Sequence, residues 1–216
     1  MKPSITAVMP IKLANERLPG KNTMLLGGKP LLQYELDSLL ATGMVADINV
    51  YCSDEAIVPF LPEGVKFLRR PRSLDLPTSN FTQIFSSFAG ERPADVYVYA
   101  HATAPFVSSS TMAELIEAVV SGKNDSAFCA RKIQDYLWQD GEPLNFDAEN
   151  LPRSQDLKPI YRETSGVYVF TRGVFERLHR RIGGNPFIKE VSFREAVDIN
   201  TPEDFALAQA LLDAGQ

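Results

Sequence analysis

Cysteine is scarce in this sequence: the 216 residues include two, Cys52 and Cys129. Each sits in an apolar, strand-like run, where a thiol acts as a small buried hydrophobe, and neither a disulfide framework nor a zinc-ligand spacing is available. No apolar run approaches the length of a membrane span, and the N-terminus lacks the charged and apolar regions of a signal peptide. A cytoplasmic location is therefore expected by elimination. The net charge is −5 and no extended basic stripe occurs, which disfavours a nucleic-acid partner. Internal repeats and low-complexity segments are absent. So are the two commonest nucleotide signatures, the Walker A loop and the G-x-G-x-x-G turn.

What is present suffices for one domain over residues 1–216. At 44% hydrophobic and 23% charged, the chain can bury a substantial core without covalent staples. Apolar runs at Ile5 to Met9, Ile48 to Cys52, Val96 to Ala100, Ser126 to Ala130 and Val167 to Phe170 read as strands. Helical patterns alternate with them, which predicts an α/β fold with a mainly parallel sheet covered on both faces. Leu32, Leu36, Leu39 and Leu40 recur at helical spacing, and Gly43 can end that helix. Thr111 and Glu114 form a capping-box pattern before Leu115, Ile116 and Val119. The last helix is announced by Thr201 as N-cap, Pro202 in its first position and the acidic pair Glu203 and Asp204. Residues 133–165 break the alternation. With Trp138, Asp140-Gly141, Pro143, Pro152 and Pro159, they read as a hairpin or arm followed by an irregular loop.

The segment from Met9 to Asn22 packs three cations into ten residues. Lys12, Arg17 and Lys21 follow an apolar strand directly, at the carboxyl end where open α/β sheets bind ligands. They can converge on a polyphosphate, while Pro19-Gly20 bends the backbone and turns amides toward the same oxygens. The alternative is a solvated basic loop. The cluster's place after a strand, in an otherwise acidic chain, favours an anion site.

Pro10, Pro19, Lys21 and Asn22 match the spacing of a signature found in the sugar-activating cytidylyltransferases. The chain resembles the CMP-sialic acid (acylneuraminate) cytidylyltransferases, which are related to the CMP-Kdo synthetases. Lys12 stands where that family usually has Arg, and Asn15 where it usually has Ser. Further similarities run along nearly the whole chain: Gly28-Lys-Pro-Leu31, Ser53-Asp-Glu55, Arg70-Pro71 with Thr78, Thr103-x-Pro105, Arg153-x-Gln155, Gly166-x-Tyr168 and Val197 to Asp204. The resemblance implies a Rossmann-like, nucleotide-diphospho-sugar-transferase-like fold with a protruding dimerisation arm within 133–165. It also implies a homodimer in which that arm helps complete the partner's sugar site. Tyr136 and Trp138 suit that role, with burial in their own domain as the equal alternative.

The reaction implied is Mg-dependent transfer of CMP from CTP to the hydroxyl of an acidic sugar, with release of pyrophosphate. Lys12 and Lys21 are then the catalytic cations, joined at the nucleotide by Arg17, Asn22, Arg70 and Thr78. On the acceptor side the resemblance points to His101, Thr103, Arg153, Gln155 and Arg162, since arginine can grip a carboxylate through two parallel hydrogen bonds. Asp198 and Asn200, two apart on a predicted strand, would share one face and hold the metal, with Asp198 also counted as catalytic. Here Asn200 replaces the family's usual second Asp, and His101 its usual Gln. The simpler readings are that Arg70, Arg153 and Arg162 face solvent, that His101 is structural, and that Asn200 merely precedes the Thr201 cap. Two other functions stay open: a catalytically reduced nucleotide- or sugar-binding homologue, and a cytidylyltransferase for Kdo or another carboxylate or phosphonate acceptor.

Overall fold

Every second residue of the central strands faces the same side of one seven-stranded sheet, so the two faces bury different chemistries. The computed structural model describes residues 2–215. Strand β1 (Ile5–Ile11) leads through the cationic loop to a short ribbon, β2 (Leu25–Leu26) and β3 (Lys29–Pro30). Helix α1 (Leu31–Ala41) follows and ends ahead of Gly43, whose φ of 62° is the left-handed conformation expected after a helix. Next come β4 (Asp47–Cys52), β5 (Val65–Arg69), α2 (Phe81–Glu91) and β6 (Val96–Ala100). Helix α3 (Ser109–Val120) and β7 (Ser126–Ile133) precede a tiny hairpin, β8 (Trp138–Gln139) and β9 (Glu142–Pro143). The chain finishes with β10 (Ile160–Thr171), α4 (Arg172–Leu178), β11 (Pro186–Glu190) and α5 (Pro202–Asp213).

The strand order is β11-β7-β10-β6-β1-β4-β5, and β10 alone runs antiparallel to its neighbours. The mainly parallel sheet with helices on both faces is therefore as the alternation predicts. One face is aliphatic: Ala7, Met9, Val50, Val98 and Val169 pack beneath Leu32, Leu36 and Leu39 of α1 and Leu115 and Ile116 of α3. The other is aromatic. Phe85 of α2 meets Tyr97, Phe170 and Phe175 edge-on, with ring centroids 4.9, 5.0 and 4.6 Å apart. Such pairs add about 0.5–1.5 kcal/mol each beyond the burial itself. A third cluster joins Leu18 and Leu26 to Val197, Ile199 and Ala208, fastening the cationic loop to the segment before α5.

Several local features differ from the sequence reading. Helix α2 was not anticipated, although Asn80 caps it in a capping box with Gln83 and Phe81, Ile84, Phe85 and Phe88 follow at helical spacing. Helix α4 and the edge strand β11 are likewise additions. Helix α3 is capped by Ser108, whose hydroxyl accepts the Thr111 N–H at 3.2 Å, so the Thr111–Glu114 box does not form. Thr111 donates its own hydroxyl to Glu195 at 2.7 Å. Residues 197–200 are not a strand. The Ile199 N–H donates to the Thr103 carbonyl and the Ile199 carbonyl accepts from Lys21, so a neighbouring loop and a side chain occupy groups that a strand ladder would need. The inward–outward alternation survives, with Val197 and Ile199 buried and Asp198 and Asn200 turned the other way.

The expected hairpin forms at Asp140-Gly141, both at positive φ (53° and 88°), as a two-residue primed turn requires. The irregular loop is shorter than expected, because β10 begins at Ile160 and pairs with β7. Among the described residues, no helix is long and apolar enough to cross a membrane.

Candidate active site

The cationic loop opens where the sheet changes direction. From β1 the chain adds β4 and β5 on one side and then places β6 on the other, so the carboxyl ends of β1 and β6 flank a topological switch point. A cavity of about 270 Å³ lies there, bordered by Lys12 and Asn15 after β1, Tyr99, His101 and Thr103 at the end of β6, and Lys21, Asn22 and Arg70. Gly20, at φ 69°, supplies the left-handed turn that brings Lys21 back toward the strand end.

Each cation reaches the site differently. Asn22 is buried, and its Nδ2 donates to the Lys12 carbonyl at 3.0 Å, so it fixes the loop that carries Lys12. Lys21 Nζ donates to the Ile199 carbonyl at 3.0 Å and to Asn200 Oδ1 at 3.2 Å. Burial pulls the Lys21 ammonium below its ordinary value and the nearby Arg17 adds to that, while Asp198 and Asp204 oppose it. Arg17 does not border this cavity; its Nη2 donates to Asn200 Oδ1 at 2.8 Å. Arg70 is 3% exposed, which overturns its reading as a solvent-facing cation. Its guanidinium pairs with Asp75, and its Nε is buried without a partner. Tyr99, which sequence reasoning passed over, forms part of the wall; its place two residues before His101 on an apolar strand was the available signal.

His101 is enclosed by Tyr99 and Tyr168, with ring centroids 5.2 and 6.0 Å away. Burial pushes its imidazole down to about 4, with Arg181 and Lys21 acting in the same direction and Asp198 against it, so the ring is neutral at physiological pH. Its Nε2 is buried and has no hydrogen-bond partner.

Asp198 and Asn200 border an adjoining cavity of about 370 Å³ with Arg162, Phe193, Asp204 and Leu207. The Asn200 amide is engaged at both ends: Nδ2 donates to Asp198 Oδ2 at 2.7 Å, and Oδ1 accepts from Arg17 and Lys21. Asp198 Oδ1 is buried and partnerless. One carboxylate oxygen is thus without a protein partner, whereas Asn200 turns nitrogen toward the other. Among the described residues, no three His, Cys, Asp or Glu side chains gather as a metal cluster.

The remaining candidates are elsewhere. Thr78 lies in an exposed turn before α2 and does not border the cavity. Arg153 is 74% exposed and pairs with Asp156 at 2.8 Å. Gln155 is exposed beside it, its carbonyl accepting from Gln134. Neither borders a described cavity near Lys21.

A family model described as cytidylyltransferase matches residues 6–216. The chain belongs to the cytidylyltransferase family. The chain is 25% identical to the N-acylneuraminate cytidylyltransferase of Oncorhynchus mykiss over 96% of its own length. It spans about half the length of that relative and of the Streptococcus agalactiae enzyme of the same name (50% and 52%). The CMP-N,N'-diacetyllegionaminic acid synthase of Legionella pneumophila is 26% identical, with 98% of this chain and 97% of that one covered. A solved CMP:2-keto-3-deoxy-manno-octonic acid synthetase complexed with CTP shares the fold, with a TM-score of 0.73 at 18% identity, covering 99% of this chain and 100% of that one.

Proposed function

We propose that the protein transfers CMP from CTP to a hydroxyl of an acidic sugar, of the N-acylneuraminate or legionaminic class, and releases pyrophosphate. The observation that carries this reading is the gathering of Lys12, Lys21 and Arg70 at the switch point, beside a segment whose Asp198 Oδ1 has no partner. The relatives named for cytidylyl transfer to such acids support the choice of substrates.

In this reading the reaction is an in-line displacement at the α-phosphorus, with charge building on the equatorial and leaving oxygens. Lys12 and Lys21 neutralise that charge from fixed positions, Lys12 because Asn22 holds its loop and Lys21 because Ile199 and Asn200 hold its ammonium. Arg70, locked by Asp75, adds positive potential to the wall. The neutral His101 and Thr103 line the acceptor side, and Arg162 borders the Asp198 cavity. A bound magnesium ion would supply further charge neutralisation at the phosphates, with Asp198 Oδ1 as the residue atom to hold it.

The protein is further proposed to act as a homodimer. Trp138 (61% exposed), Leu144 and Leu151 on the arm present apolar surface that a second copy would cover. Arg153 and Gln155, at the base of that arm, would reach an acceptor only across such an interface.

A second reading, a homologue that binds nucleotide with little transfer, is favoured by one observation: the Asn200 amide directs nitrogen, not oxygen, at Asp198. Pyrophosphate release with CTP, magnesium and a panel of sialic, legionaminic, pseudaminic and Kdo acids separates the two. Turnover with at least one acid supports transfer, and CTP binding without release from any of them supports the second reading.

A further inference from the structure

On the aromatic face, Phe81, Glu163, Arg181, Ile182 and Gly183 border a cavity of about 470 Å³, a size typical of small-molecule sites. Its wall packs against that of the cavity at Lys21. Phe81 and Ile84 stand three apart on α2, on one face of the helix, and each borders one of the two spaces. Tyr99 packs edge-on against Phe81 at 5.1 Å, and His101 lies 6.0 Å from the Tyr168 ring.

Arg181 dominates this second space. Its guanidinium lies 3.7 Å from the centroid of the Tyr168 ring, and Nη2 donates to the Tyr168 hydroxyl at 3.0 Å. The same nitrogen reaches Glu163 at 3.4 Å, while the Tyr168 hydroxyl donates to that carboxylate. Among the described residues, Nη1 and Nε of Arg181 have no hydrogen-bond partner. The ion pair is therefore half made. Glu163, 41% exposed, meets one nitrogen at long range and leaves the rest of the fork open, whereas a full arginine–carboxylate pair forms two bonds near 2.8 Å.

Resting on the proposed cytidylyl transfer, we infer that this cavity is an acceptor subsite in which Arg181 engages the carboxylate of the acidic sugar and Glu163 is the carboxylate it displaces. The exchange is like for like. An incoming carboxylate can use the open Nη1 and Nε as well as Nη2, and Glu163 swings into the solvent that already reaches it. A neutral sugar brings no charge to replace Glu163, so the Arg181–Glu163 pair also selects against neutral acceptors. Arg181 is thereby a specificity-determining residue that no motif in the sequence marks.

The test is acceptor kinetics by pyrophosphate release, using N-acetylneuraminic, legionaminic, pseudaminic and Kdo acids and the methyl ester of the best of them. Arg181→Lys should raise the acceptor KM about tenfold and leave the CTP KM within about twofold, since Lys keeps charge but loses the fork. Glu163→Gln should lower the acceptor KM by about threefold, because the competing charge is gone. Arg181→Ala should erase the wild-type preference for free acid over ester, an effect a purely structural role would not produce. An acceptor KM unchanged in both Arg181→Lys and Glu163→Gln overturns the inference, as does an acid-over-ester preference retained by a folded Arg181→Ala. These results would leave the proposed reaction standing if wild type turns over an acid. Wild type inactive with every acid while binding CTP would overturn the reaction itself, and this subsite with it.

Discussion

Asn200 Nδ2 donates to Asp198 Oδ2 at 2.7 Å, so the side chain that would share a metal with this carboxylate offers it a hydrogen-bond donor instead. Its oxygen is held 2.8 Å from Arg17 and 3.2 Å from Lys21. Turning the amide over would set nitrogen against two cations. The local charge balance around Asp198 is thus set by two residues of the cationic loop.

Asn200→Asp replaces that donor with a second carboxylate that Arg17 and Lys21 are already placed to hold. The magnesium concentration for half-maximal rate should fall, and Mn²⁺ binding followed by electron paramagnetic resonance should tighten by about tenfold, or ~1.4 kcal/mol. Asp198→Asn should abolish both binding and metal-dependent turnover. An Asp198→Asn protein that binds Mn²⁺ like wild type would place the metal elsewhere.

Lys21→Ala removes an ammonium anchored to Ile199 and Asn200 at the mouth of the cavity. Turnover should fall by roughly 10²–10³, about 3 kcal/mol of transition-state stabilisation, as when a preorganised electrostatic group is deleted. Lys12→Ala should be similarly damaging, with an unchanged far-ultraviolet circular dichroism spectrum in both. Near-normal turnover in both variants would remove the phosphate role from this loop.

Replacing the hairpin tip, residues 138–143, with a short glycine-serine link strips Trp138 from the arm while leaving the sheet intact. Sedimentation velocity should then show a shift from dimer toward monomer. Wild type that sediments as a monomer, or a dimer unaffected by the change, would count against the arm as an interface.

Glu35 lies wholly buried on α1 with neither carboxyl oxygen partnered, and burial holds its carboxyl protonated well above the usual carboxylate range. In the unfolded chain it ionises near pH 4.3. Between that value and the raised folded one, the native state binds the extra proton, so stability falls as pH rises, by up to about 1.4 kcal/mol per pH unit. His101 works in the opposite sense. Its imidazole is pushed down to about 4, so between the unfolded value near 6.5 and that folded one, acidification favours the unfolded chain. The difference in urea midpoint between wild type and Glu35→Gln isolates the glutamate. That difference should move in favour of Glu35→Gln as pH rises above the unfolded value and level off once it passes the raised folded one; a difference constant with pH would show that Glu35 does not titrate in this way.

Much of the fold was legible locally. Alternating and helical periodicities are properties of neighbouring residues, which is why β1, β4, β6, β7, α1 and α5 appear where expected, α5 with the Thr201 cap and Pro202 in its first turn. The cationic loop was equally visible, because strand, bend and charges are contiguous. Helix α2 carried a readable signal in Asn80 and Gln83 that charge and proline nearby obscured. Edge strand β11, short and opened by Pro186, carried almost none.

The sequence by itself determined the alternating α/β architecture, the loop of three cations and the capped final helix, since each strand, helix or loop in them is written in a short run of consecutive residues. Only the tertiary structure decided what those groups touch. Arg17 meets Asn200 across 183 positions and Lys21 meets Ile199 across 178. Arg70 is buried against Asp75, His101 is held neutral between two tyrosines, and Arg181 spreads over Tyr168 with half of its fork open. Charge state and hydrogen-bond direction depend on burial and on partners brought together by the whole sheet, and no local pattern encodes either.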